Sequence, residues 1–251
     1  RFGEGRTLGI HGKHRPLVIR LFAFLLIFWA GAAAANCRQA LALGLDVSGS
    51  VDAKEYALQM QGLAAALEDP QVLQALAILS DAPVQIAVYE WSSPAFQRLI
   101  VPWTVVSNSS QVADVTQVLR QQTRVEVPPT TGLGAAMQFG FSQLAERPNC
   151  WRHTLDISGD GKNNSGPRPR SVIAQAGKIE INALVIGLDV NARLSHEELE
   201  VGELTAYFRA EVIHGPAPFI EVALGFADYA RAMRKKLLKE LAIPSLSLLD
   251  Q

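Results

Sequence analysis

The sequence predicts an α/β protein: a doubly wound, mostly parallel sheet with one antiparallel edge strand and helices on both faces. Three observations carry that prediction. Strand-like and helix-like stretches alternate along the chain. Several strand-like runs, among them LALGL at 41–45 and INALVIGL at 181–188, are apolar on both faces, as strands covered from both sides must be. Two β-rich runs, 84–91 and 98–101, are separated only by SSPAF, which suggests a hairpin and hence an antiparallel edge.

Composition sets the bounds. The 251 residues suit one α/β domain, and an apolar content of 49% is enough for a full core. Lys and Arg number 23 against 24 Asp and Glu, so there is no basic footprint and no nucleic-acid partner is expected.

Residues 1–35 read as a signal peptide. Arg6, Lys13, Arg15 and Arg20 form a basic region, LFAFLLIFWA is a short apolar run, and GAAAAN offers an Ala-x-Ala site ending at Ala35. The competing reading is a membrane anchor over 17–35. It is near the lower length limit, and its last third is weakly apolar alanine. The expected location is periplasmic or secreted, with membrane contact only through an uncleaved N-terminal segment. Asn36 before Cys37 argues against lipid attachment, which wants a small residue there. In an exported chain, two cysteines, Cys37 and Cys150, suggest one disulfide.

The domain is expected over 36–243. A buried strand at 37–45 precedes a helix at 52–68, whose Tyr56, Met60, Leu63 and Leu67 share a face and whose Asp52 and Glu55 resemble a capping box. After the strand at 84–91, its neighbour at 98–101 is expected to end at Pro102. Helices follow at 109–121 and 131–145, the second with Leu133, Met137, Phe141 and Leu144 inward. Then come a strand at 151–158, a helical stretch at 171–177, a strand at 181–188, a helix at 195–206 opening on Ser195 and Glu198, and a short strand at 211–214. An amphipathic helix at 222–241 turns Val222, Phe226, Tyr229, Met233 and Leu237 to one face, leaving Arg231, Arg234, Lys235, Lys236 and Lys239 solvated. Residues 244–251 form a tail.

Three segments supply clustered oxygens: Asp46-x-Ser48-x-Ser50, Thr131 in TGLGAAM, and Asp160 in SGDGKNN. Each lies beyond a strand or at a helix start, and in open α/β sheets ligands gather outside the carboxyl ends of the strands. Two carboxylates and three hydroxyls make a hard, all-oxygen site suited to Mg²⁺, with Mn²⁺ and Ca²⁺ as alternatives. Gly49 and Gly161 permit tight turns beside such an ion. Taken alone, Asp46, Ser48 and Ser50 read equally well as a strand-to-helix turn with capping residues.

In this order, Asp-x-Ser-x-Ser, Thr-x-x-Gly-x-Ala and Asp-Gly resemble the metal-ion-dependent adhesion site (MIDAS) of von Willebrand factor A domains. The resemblance implies a von Willebrand factor A, Rossmann-like fold. It also implies that Ser48 and Ser50 ligate directly, and that Thr131, Asp46 and Asp160 ligate directly or through water. A protein partner then supplies an Asp or Glu carboxylate to the open position. Thr131 is preferred over Thr130 because Gly134 and Ala136 then fall in pattern. From about 41 to 241, DVSGSVDAKEYALQ, YEWS, PWT, DISGDGKNNSG, INALVI, VIHGP and FADYARAMRKKLLKEL are similar to a family of exported proteobacterial A-domain-like proteins of undefined function. There Gly-Gly-Pro is more usual where this chain has His214-Gly215-Pro216. The family fold places the first and fourth strands side by side, which implies that Cys37 and Cys150 meet and bridge at the end opposite the metal.

Rival chemistries fit less well. A Mg²⁺-dependent phosphotransfer or phosphatase-type hydrolase using Asp46 as nucleophile is the main alternative, but Ser48 stands where its second Asp would be. There is no Gly-x-Ser-x-Gly for a serine hydrolase. GLGAAM lacks the third glycine of a dinucleotide fingerprint, and the histidines and cysteines show no zinc spacing. A binding domain rather than an enzyme is therefore expected. Glu90 and Asp156 read as structural, Trp103 and Trp151 as packing, and Asn163 and Asn164 either shape the turn or line the binding face.

Overall fold

The computed structural model describes residues 37–187 and 194–242, together with Gly3. The expected signal segment at 1–35 and tail at 244–251 lie outside the described residues, as do the side chains of Ser195 and Glu198. The chain divides into Arg1–Ala33 and Ala34–Gln251, and the architecture that follows is that of the second unit.

Its elements run β1 (Cys37–Asp46), α1 (Ala53–Leu67), α2 (Pro70–Ala77), β2 (Val84–Trp91), β3 (Gln97–Val106), α3 (Ser109–Gln121), α4 (Leu133–Ala145), β4 (Cys150–Gly159), α5 (Pro169–Val172), β5 (Glu180–Ile186), α6 (Leu194–Glu211), β6 (Ile220–Ala223) and α7 (Tyr229–Leu241). The six strands form one sheet in the order β3-β2-β1-β4-β5-β6. All neighbours are parallel except the antiparallel edge pair β2 and β3. The expected doubly wound architecture is therefore the fold.

β1 shows how the sequence builds the layers. Side chains alternate across a strand, so Leu41, Leu43 and Leu45 enter the core shared with Tyr56, Met60 and Leu63 of α1 and Met233 and Leu237 of α7. Each fully buried leucine contributes about 1.5–3 kcal/mol. Ala40 and Ala42 face the other way, into the core with Met137, Phe141 and Leu155. Small residues on that face let the phenol end of Tyr89 reach Gly44, where an added Cβ would sit 2.5 Å from the phenol oxygen. Tyr89 Oη then donates to the Ala136 carbonyl at 2.8 Å, tying α4 to the sheet. At the top of β1, α1 starts with the expected capping box: Asp52 accepts from Lys54 and Glu55, and Glu55 accepts from Asp52 N–H. Such a cap is worth about 1 kcal/mol.

Several expectations need correction. α2 was not foreseen; Asp69 caps it and Pro70 opens it, burying Val72 and Leu76. β3 runs through Pro102, because on an edge strand the missing N–H can face solvent. The last strand is Ile220–Ala223, not 211–214: Glu211 ends α6, and His214 makes only an isolated antiparallel bridge to Ile181. Val222 accordingly belongs to β6, and α7 begins at Tyr229. Lys236 is 0% exposed rather than solvated, and Trp151 is 62% exposed rather than packed.

β1 and β4 are neighbours in which Cys37 pairs directly with Cys150. The two form a disulfide with Cα atoms 4.4 Å apart, at the opposite end of the strands from Asp46. Among the described residues no helix is long and apolar enough to cross a membrane.

Candidate functional site

Because β1 and β4 are adjacent and parallel, Asp46 at the end of one and Asp160 just beyond the other arrive at the same end of the sheet, beyond the carboxyl ends of its two central strands. Val47 and Val51 turn inward and are 1% exposed. Their burial fixes the intervening loop, and Val51 N–H closes its turn on the Ser48 carbonyl at 3.1 Å. Asp46 is 0% exposed. Its Oδ1 accepts from the Ser48 backbone N–H at 2.8 Å. Its Oδ2 is buried and has no hydrogen-bond partner among the described residues.

The hydroxyls close around this pair. Ser50 Oγ donates to Asp160 Oδ1 at 2.8 Å, Ser48 Oγ and Ser50 Oγ lie 3.3 Å apart, and Thr131 Oγ1 lies 3.5 Å from Ser48 Oγ. All five expected site residues thus gather in one cluster, and Thr131 rather than Thr130 is the threonine that reaches Ser48. Of the two expected glycines, only Gly49 is sterically required: a Cβ there would meet Pro129 at 2.7 Å, whereas at Gly161 the nearest atom is 3.6 Å away.

Charge is poorly accommodated without a cation. Burial first, and the neighbouring Asp160 carboxylate second, push the Asp46 carboxyl up to about 8. Burial also raises Asp160, against the lowering effect of the Ser50 hydrogen bond. Two carboxyls that oppose each other's ionisation, beside a buried acceptor that costs about 1–3 kcal/mol while unpaired, fit a site for a hard divalent ion. Among the described residues no three His, Cys, Asp or Glu side chains gather as a metal-holding group, so a cation here would rest on two carboxylates plus hydroxyls.

A supporting ring holds the loops. Arg124 donates to the carbonyls of Val51 at 2.8 Å, Ser48 at 3.2 Å and Val47 at 3.3 Å, clasping the loop that carries both serines. Asn164 Oδ1 accepts from Thr131 N–H at 2.8 Å, and Thr131 O accepts from Asn164 N–H at 2.9 Å. Asn163 Oδ1 accepts from Gly134 N–H at 3.2 Å. Both asparagines therefore shape the turn. Gln59 fastens α1 to the Asp46 carbonyl at 3.0 Å. Glu90 is taken up by Tyr56 and Arg98, a structural role. Arg124 was missed because a single arginine in the aperiodic stretch QQTRVEVPP carries no motif. Beside Asp160, a groove of about 240 Å³ runs between Lys162, Ile186, Val201 and Leu204, with Lys162 and Glu203 paired at 3.2 Å on its rim.

Solved structures of the same fold come from several sources. The mussel byssus protein PTMP1, in a structure with a zinc-occupied MIDAS motif, is 16% identical at a TM-score of 0.53, over 82% of this chain and 48% of that one. A von Willebrand factor type A protein from Catenulispora acidiphila is 14% identical at 0.54, over 82% and 43%. The conserved hypothetical protein BatB from Bacteroides thetaiotaomicron is 14% identical at 0.50, over 80% and 98%. At such identities the likeness is one of fold alone, and this chain spans less than half the length of the first two. No curated protein matches the chain. The family model described as "Protein of unknown function (DUF1194)" matches residues 36–245, and the chain belongs to that family.

Proposed function

We propose that this is an exported, divalent-metal-dependent protein-binding domain. Mg²⁺ sits among Asp46, Ser48, Ser50, Thr131 and Asp160, and an Asp or Glu carboxylate of a partner protein completes its coordination. The observation that carries the reading is the buried Asp46 carboxyl, whose Oδ2 has no hydrogen-bond partner within bonding distance among the described residues, beside a second carboxylate and three hydroxyls. When bound, the ion supplies positive charge that lets both carboxylates ionise and attracts a third. That a protein of this fold, the mussel PTMP1, has a zinc-occupied MIDAS motif supports a divalent ion as the ligand of the motif resembled here. Export is supported by the residue pattern of 1–35 and by the Cys37–Cys150 bridge, which suits an oxidising compartment. Phosphotransfer from Asp46 is disfavoured, since that carboxylate is 0% exposed and Ser48 engages its Oδ1.

Calorimetric titration of Mg²⁺ and Mn²⁺ into the protein, beside Asp160→Ala, tests the site. Saturable one-site binding that the substitution abolishes is expected. A wild type that binds neither ion counts against the metal reading. A partner, once found, must release in chelator; retention there rejects the carboxylate-bridge mechanism.

A further inference from the structure

At the other end of the sheet, beside the disulfide, lies a cavity of about 1080 Å³. It collects features for which the upper cluster has no use. Trp151 follows the bridged Cys150 and lines the cavity while 62% exposed, an unusual position for an indole not packed in the core. The HGP loop forms another part of the wall. His214 exchanges both backbone hydrogen bonds with Ile181, at 2.7 and 3.1 Å. Gly215, at φ 121°, then turns the chain so that Pro216 borders the opening. Phe219 lies under the Lys239 ammonium, 5.0 Å from its ring centre.

Uncompensated charge is the second observation. Arg152 lines the cavity and, among the described residues, donates to main-chain oxygens, those of Glu240 at 3.3 Å and Ala242 at 3.2 Å. Behind it, Arg38 likewise donates to the carbonyls of Ala75 at 2.6 Å and Leu241 at 3.4 Å. Among the described residues neither guanidinium has a carboxylate partner. A helix end offers roughly half a negative charge, against two full positive ones. Burial, and then the charge of Arg152, lower the pKa of Arg38, which registers the crowding. Lys178 adds an exposed cation at the rim. Glu180 is the only acid among the described lining residues, while Lys239 is already answered by Glu221 at 2.9 Å.

We propose that this basal cavity is a second binding site, for a small ligand that joins a flat apolar body to an anionic group. The body stacks on Trp151, and the anion meets Arg152 and Lys178. Small-molecule sites combine apolar and aromatic walls with a few charged groups, and here Trp151, Pro216 and Phe219 share the lining with Arg152 and Lys178. The proposal is independent of the metal reading, because the cavity shares no residue with the five-residue cluster.

The test is calorimetric titration of the protein with naphthalenesulfonate, using uncharged naphthol as the comparison. Saturable one-site binding is expected. It should weaken about tenfold in Trp151→Ala and again in Lys178→Glu, and be about tenfold weaker for naphthol. Trp151→Phe should retain most of the affinity, and Asp160→Ala should leave it unchanged. Both altered residues are exposed, and a urea transition for each variant verifies folding. Absence of saturable binding, equal affinity for naphthol, or indifference to both substitutions overturns the proposal.

Discussion

Lys236 Nζ lies 2.8 Å from Asp156 Oδ1, with the two side chains 0% and 1% exposed. The same ammonium meets Glu240 Oε1 at 2.5 Å, and Asn182 Nδ2 donates to that oxygen at 3.1 Å. One cation therefore serves two buried carboxyls where α7 crosses β4 and β5. Removing it strands both. Lys236→Met should cost about 3–5 kcal/mol, the usual penalty for breaking a buried pair, read as a lower urea midpoint near neutral pH. A loss below about 1 kcal/mol would show that the lysine is dispensable to the fold.

Buried acids give the metal-free protein a pH dependence of defined sign. Burial first lifts Asp156 to about 7, and burial with the Asp160 charge lifts Asp46 to about 8. In the unfolded chain both titrate near pH 4. A raised folded pKa means the native state keeps its proton longer. The stability it contributes is complete below about pH 4 and is lost as pH rises through about 7 for Asp156 and about 8 for Asp46. Carboxylates held low, such as Glu68, at about 2 through its Arg120 and Thr116 hydrogen bonds, act oppositely. Their stability is present above about pH 4 and lost in stronger acid. Denaturation at a series of pH values in chelator should therefore show stability falling between about pH 5 and 8. Asp156→Asn should flatten the lower part of that slope.

Asp46→Asn separates stability from function. Without metal at pH 8, the variant should match or exceed the wild type, because it removes a buried charge facing Asp160. Adding Mg²⁺ at a hundred times Kd should stabilise the wild type by about 2.7 kcal/mol and the variant not at all. Thermal melts with and without Mg²⁺ make the comparison. Equal Mg²⁺ stabilisation of both proteins would remove Asp46 from the ligand set.

The Cys37–Cys150 bridge closes a loop with a sequence separation of 113. The chain-entropy estimate for so long a loop is about 4–5 kcal/mol. Replacing both cysteines by Ser should lower the unfolding free energy by up to about that amount, measured by urea denaturation without reductant. No change would mean that the unfolded chain is compact enough to make the link redundant.

What could be read beforehand follows from local periodicity. The alternation Asp46, Ser48, Ser50 shows in the sequence because a strand running out into a loop keeps its side chains in step, and the Asp52–Glu55 cap shows because capping is a matter of neighbours. Lys236 looked solvated because a helical wheel cannot tell that Asp156, 80 positions earlier, waits beneath it. The sequence points to an antiparallel edge at 98–101, yet Pro102 reads as its end because proline is a strand breaker in general; on that edge the missing N–H costs no ladder bond and β3 runs on. The apolar Val212 and Ile213 mimicked a strand although they close the end of α6. The four-residue β6 was too short for a pattern to emerge.

The pairing of β1 with β4 has a mechanical consequence. Cys37 faces Cys150 at the first rung and Leu45 faces Ser158 near the last. With about 3.3 Å of rise per residue, the covalent rung stands nearly 30 Å from the oxygen cluster. A slip of one residue between these strands would offset Asp46 from Asp160 by that rise and set inward and outward side chains against each other. The bridge lies at the far end of the same ladder, so it adds a covalent rung to a register that the two buried faces of β1 already specify.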